Sequence, residues 1–102
     1  MNDQHHSETQ HHSETPGATA LRESSVIRKM LGDFDRTIQI LDCDIATEEQ
    51  RTAVFDPFDP LYSVLARSLG ARRDNLKMTV ALLERRLNAI DTAVQPILAI
   101  AA

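Results

Sequence analysis

Residues 55–60 read Phe-Asp-Pro-Phe-Asp-Pro, and the way this hexapeptide interrupts the apolar pattern on either side of it decides the fold. A proline drives the residue before it toward extended backbone, so Pro57 ends any helix arriving through Asp56. Pro60 works in the opposite sense, because its fixed φ suits the first position of a new helix with Asp59 as the cap. Two Asp-Pro pairs in tandem make a stiff corner rather than a flexible linker. The chain is expected to turn back on itself there.

Upstream of the corner, Ile27, Leu31, Phe34, Ile38, Leu41 and Ile45 follow one another at alternating steps of four and three, the spacing of an apolar seam on one side of a helix. The predicted helix covers about residues 24–54, with Ser24 or Ser25 as N-cap. Glu48 and Thr52 fall in the seam before Phe55, which predicts loose, frayed last turns. Gly32 inside the helix costs about 1 kcal/mol relative to Ala. Downstream, Tyr62, Ala66, Leu69, Arg73, Leu76, Val80, Leu83, Leu87, Ile90 and Val94 repeat the spacing, with Arg73 the one charged member. This second helix is predicted over about residues 60–94, stopped by Pro96. Helices of about 30 and 35 residues give rods of roughly 45 and 50 Å at 1.5 Å per residue. The fold class is therefore all-α, an antiparallel two-helix hairpin, coiled-coil-like, spanning residues 22–96.

Charge supports the same pairing. Residues 42–59 carry six acids against Arg51, and residues 67–86 carry six bases against Asp74 and Glu84. Folding at the corner brings together positions summing to about 117, which pairs Glu49 with Arg67, Asp44 with Arg73 and Asp33 with Arg85.

Residues 4–9 and 10–15 are the same hexad, Gln-His-His-Ser-Glu-Thr. This repeat, followed by Pro16 and Gly17, has too little apolar content to offset the ordering of the chain, so residues 1–21 read as a disordered tail. All four histidines, His5, His6, His11 and His12, lie in it. Paired imidazoles suit nickel, copper or zinc, but the spacing matches no structural zinc pattern. The reading assigns no metal site and treats these four as adventitious binders.

The composition is 42% apolar but only 4% aromatic, with no tryptophan, so the interior is built from Leu, Ile, Val and Ala, as in helical bundles. The net charge of −4 resides mostly in the tail, at Asp3, Glu8 and Glu14, and recruits neither nucleic acid nor an anionic membrane. Cys43 is the single cysteine; it allows no internal disulfide and fits a reducing compartment. The first residues lack the basic and apolar segments of a secretory signal. The longest apolar run, Ile97 to Ala102, is far short of the roughly 20 residues that span a bilayer. The expectation is a soluble cytoplasmic protein with no membrane contact, and residues 97–102 form an apolar end similar to alanine-ended tails that bacterial proteases recognise.

Catalytic chemistry finds no convergent set. Cys43 occupies an outward heptad position, and the body holds no histidine to generate its thiolate. Asp56, Asp59, Glu48 and Glu49 gather near the corner but read as cap, turn and cross-hairpin residues. The protein is expected to be no enzyme and to use no cofactor.

The run FDPFDPLYSVLARSLGARRDNLKMTVALLERRL, residues 55–87, about a third of the chain, resembles small bacterial helical-hairpin proteins. The acid-proline corner and the stretch Ala71 to Leu76 carry the resemblance. It implies the hairpin fold and transfers no activity or site.

Two helices leave apolar side chains off the seam. Val26, Ile40 and Val54 share one heptad position on the first helix, and Leu61, Leu65, Met78 and Leu82 lie off the seam of the second. These are the interface candidates, for a homodimer forming a four-helix bundle or for another helical protein. The function read from the sequence is a small helical interaction or assembly module. The alternative is a nucleic-acid-associated regulator using Arg72, Arg73, Lys77, Arg85 and Arg86, although no aromatic platform supports them.

Overall fold

The computed structural model describes residues 15–101, with side chains for residue 15 and residues 17–94. The protein is an all-α helical hairpin. Helix α1 spans Pro16–Thr52 and helix α2 spans Val64–Ala101, and the two pack antiparallel through one seam. Among the described residues there is no strand, and no helix is long and apolar enough to cross a membrane.

Helix α1 starts earlier than the sequence pattern indicates. Thr15 Oγ1 accepts the Ala18 amide at 3.1 Å, and Pro16 opens the first turn, where a missing amide donor costs nothing. Residues 16–21 thus belong to the helix and not to the tail. The reason is visible in retrospect, since Ala20 and Ser24 continue the four-and-three seam backward with residues too small to register as apolar signals. Ser24 is no cap. It sits in the seam, 1% exposed, and its hydroxyl accepts from the Arg28 guanidinium. Residues 1–14, including all four histidines, lie outside the described residues.

The corner also differs in detail. Asp56 Oδ1 accepts the Phe58 amide at 2.9 Å and Asp59 Oδ1 the Leu61 amide at 2.8 Å. Backbone bonds from Asp59 N to Asp56 O and from Tyr62 N to Asp59 O close two successive turns. Each aspartate therefore caps its own turn, which is what a short side-chain carboxylate does two residues ahead of itself. Helix α2 begins at Val64 instead of Pro60, and its cap is Ser63, whose Oγ accepts the Ala66 amide at 3.1 Å. At its far end α2 continues through Pro96 to Ala101. Proline removes one amide bond and crowds one carbonyl, which a helix can accommodate, so neither the expected stop at Val94 nor a separate end beginning at residue 97 holds among the described residues.

Seam positions are the least exposed part of each helix. Ile27, Leu41, Ile45, Tyr62, Ala66, Ile90 and Val94 are buried, and Leu31, Phe34, Ile38, Leu69, Leu76, Val80, Leu83 and Leu87 are half-buried. Burial concentrates at the two ends of the hairpin. Ile27, Ile90 and Val94 form one cluster, with Ala20, Leu31, Leu83 and Leu87 against it. Ile45, Tyr62 and Ala66 form the other, with Val54 and Leu69. A single layer of two helices has no second layer to cover its faces, and the middle of the seam stays partly open.

The charge register is right in sense and different in its pairs. Arg86 binds Glu23 bidentately at 2.8 and 2.9 Å, Arg28 binds Asp91 at 2.9 Å, and Arg73 donates to Asp42 at 3.1 Å and Asp74 at 3.2 Å. Asp44 is therefore not the partner of Arg73. Glu49 accepts the Tyr62 hydroxyl at 2.8 Å, while Arg67 donates to the Pro57 carbonyl at 2.9 Å and stacks 5.5 Å above the Tyr62 ring. Asp33 binds Arg36 one turn along its own helix. Long side chains reach one turn either way, so spacing defines a neighbourhood of partners and not a single one.

Candidate interaction surface

The corner is locked from beneath by Glu48. This residue is 8% exposed and occupies the seam position that spacing assigns to it. Its carboxylate accepts two bonds from Arg51, with Nε at 3.1 Å, and one from Ser63 Oγ at 2.8 Å. These bonds, Arg51 first and Ser63 second, hold the carboxyl down to about 2 from its ordinary 4.5, outweighing the opposing effect of burial. The last turns of α1 are consequently not frayed. They end at Ala53, which takes the left-handed conformation with φ 59°. One serine joins the end of α1 to the start of α2, because its hydroxyl donates to Glu48 and accepts from Ala66. Above this lock the corner presents Phe58, 92% exposed, together with Phe55, Leu61, Val64 and Leu65.

On the flat sides of the hairpin the ion pairs identify which helix flanks share a face. Glu23 and Arg86 meet on one side, Arg28 and Asp91 on the other. At 100° per residue, Val26, Met30, Asp33, Ile40 and Asp44 share the flank of Glu23, and Leu65, Arg72, Leu82 and Ala89 that of Arg86. The opposite side carries Arg28, Asp35, Asp42 and Glu49 from α1 and Lys77, Glu84 and Asp91 from α2. The distribution is lopsided. Five exposed large apolar residues, Val26, Met30, Ile40, Leu65 and Leu82, fall on the Glu23–Arg86 face, whereas Leu21 alone falls on the charged one. Val64 and Met78 lie on the outer edge of α2.

Of the interface candidates from sequence, Val26, Ile40, Leu61, Leu65, Met78 and Leu82 are exposed. Val54 is partly buried against the corner cluster of its own hairpin. The structure brings Val26, Ile40, Leu65 and Leu82 onto one face and sets Met78 apart. Met30 was missed by spacing, since it stands alone at its heptad position among Glu23, Thr37 and Asp44.

The basic residues do not form one stripe. Arg73 lies half-buried in the seam with Asp42, Arg86 is engaged by Glu23, and Lys77, Arg85 and Arg72 point in three different directions around α2. The guanidinium of Arg73 is held in its charged form chiefly by the Asp42 bond and that of Arg86 by Glu23. Cys43 is exposed on the outer edge of α1, and among the described residues no cluster of His, Cys, Asp and Glu is arranged to hold a metal. A cleft of about 390 Å³ beside the corner, lined by Glu49, Tyr62, Arg67 and Arg73 among others, is walled by side chains already bonded to one another. The fold and this surface define a helical hairpin with one partly apolar face. No protein-family model, curated protein or solved structure matches the chain.

Proposed function

We propose that the hairpin is a non-enzymatic assembly module that acts by protein–protein contact through its Glu23–Arg86 face. The observation that carries this reading is the sorting of exposed apolar side chains onto that face, opposite a face almost wholly polar. Exposed apolar residues scattered singly need no explanation, but a concentration on one side of a single-layer protein marks a surface that another helix covers. The corner adds an exposed apolar tip, Phe58, on turns that bond to themselves. Aromatic side chains on a preorganised backbone bind at low entropic cost.

The test is a photo-crosslinking residue in place of Ile40, compared with the same residue in place of Gln39 on the opposite side, in cells that make the protein. Protein crosslinks at 40 and none at 39 are the expected result; equal yields at both positions would overturn the assignment of the face. A salt titration of binding to duplex DNA and RNA addresses nucleic acid, since phosphate contacts make affinity fall steeply with salt. With the basic residues divided among three directions, only weak and sequence-independent binding is expected.

A further inference from the structure

Resting on the reading above, we infer that the occupant of the Glu23–Arg86 face is a second copy of this chain, stacked so that α1 of each lies over α2 of the other with both corners at the same end. Charge selects this arrangement. On this face α1 carries the acids Glu23, Asp33 and Asp44 and one base, Arg51, which Glu48 engages, and α2 carries only bases, Arg72 and Arg86. Glu23 is satisfied by Arg86 and Asp33 by Arg36 within the chain. Asp44 and Arg72 are the two charges left without a bonded partner on this face among the described residues; they are opposite in sign, on different helices, and at nearly the same height, within one turn of the Asp42–Arg73 pair. A two-fold axis parallel to the helices superposes α1 on the partner's α2 at equal height and gives each Asp44 an Arg72 across the interface. An axis perpendicular to the helices superposes α1 on α1 and α2 on α2, so that no Asp44 meets an Arg72 and the two α2 flanks, whose only charges are bases, face each other. Apolar heights agree with the first choice, since Met30 stands level with Leu82 and Val26 with Ala89. Ile40 stands level with Asn75, between Arg72 and Thr79, whose aliphatic stem and methyl can cover it. Closed two-fold assembly is also the commonest outcome for a self-complementary face.

The test mixes two variants of the full chain, Asp44→Arg and Arg72→Asp, each measured by analytical ultracentrifugation alone and at a one-to-one ratio. Alone, each variant sets like charges against each other at two sites of its own dimer, and its dissociation constant is expected to rise about tenfold, from two reversed surface pairs. Mixed, the two restore both contacts between chains, and the heterodimer is expected to form with wild-type affinity. A contact made only within a chain is not repaired by mixing, so failure of the mixture to recover overturns the arrangement. Spin labels at Phe58→Cys in a Cys43→Ser background give a second reading. Same-end corners place the labels within about 30 Å, and opposite-end corners separate them by roughly the length of a helix, about 50 Å. If the wild type dimerises and Ile40→Glu abolishes it while the charge variants do nothing, the face stands and this arrangement falls. If Ile40→Glu leaves the dimer intact, the proposed face itself falls, and a wild-type monomer at 100-fold above micromolar concentration removes the second copy as the occupant.

Discussion

Ser63 is the residue on which the corner turns, and replacing it separates two jobs that a single hydroxyl performs. Its Oγ accepts the Ala66 amide at 3.1 Å and donates to Glu48 at 2.8 Å. Loss of an N-cap costs about 1 kcal/mol, and loss of a buried hydrogen bond to a charged acceptor adds a comparable amount. Ser63→Ala should therefore destabilise the hairpin by about 2 kcal/mol, lowering the melting midpoint by roughly 10 °C for a domain of this size. Helical circular dichroism in thermal and urea titrations, at one fixed protein concentration, measures it. Ser63→Asp sharpens the test. Aspartate caps a helix at least as well as serine, but it would set a second carboxylate against that of Glu48. It should therefore lose at least as much as alanine at neutral pH, and recover when Glu48→Gln is added. A Ser63→Ala variant within about 0.5 kcal/mol of wild type, or a Ser63→Asp variant more stable than wild type, would refute the coupling and leave Ser63 a plain helix cap.

The depressed Glu48 carboxyl makes stability depend on acid in a definite direction: its contribution is complete above 4.5, the value in the unfolded chain, and is lost as pH falls toward about 2. Glu23, lowered by its bond to Arg86, works in the same sense. Acid titration of Glu48→Gln should thus be flatter across this window than that of wild type. Ala53→Gly should raise stability by about 0.5–1 kcal/mol, since a left-handed alanine carries a steric cost that glycine avoids. Gly32→Ala should raise it by a similar amount, because a Cβ there meets only the Arg36 guanidinium at an ordinary 3.8 Å. Removing residues 1–20 should cost about 1 kcal/mol more than removing residues 1–14, because only the longer deletion strips the Thr15 cap and Ala20 from the distal cluster.

The amino-acid sequence by itself determined the two helices, the turn between them and the seam that joins them. Those follow from local rules, since four-and-three spacing selects which side of a helix leaves water and Asp-Pro pairs forbid helix at the corner. Every apolar residue that spacing assigned to the seam between Ile27 and Val94 is buried or half-buried except Phe55, which falls beyond the end of α1 and stays exposed at the corner. Element ends were less legible, because caps depend on which small polar side chain reaches an amide. Thr15, at the end of a tail-like repeat, and Ser63, behind two more conspicuous aspartates, gave only weak signals. Spacing put Glu48 in the seam, but tertiary structure alone decided that it stays there as a bonded carboxylate and does not fray the last turns. A carboxylate there looks like a defect until Arg51 and a serine 15 residues away supply its donors, and desolvating it without them would be costly. It also decided which charges pair, since flexible arginines choose among acids within a turn of one another. And only the antiparallel packing, by joining one flank of α1 to one flank of α2, gathered Val26, Met30, Ile40, Leu65 and Leu82 onto a single face, because residues on different helices have no common side until the helices meet.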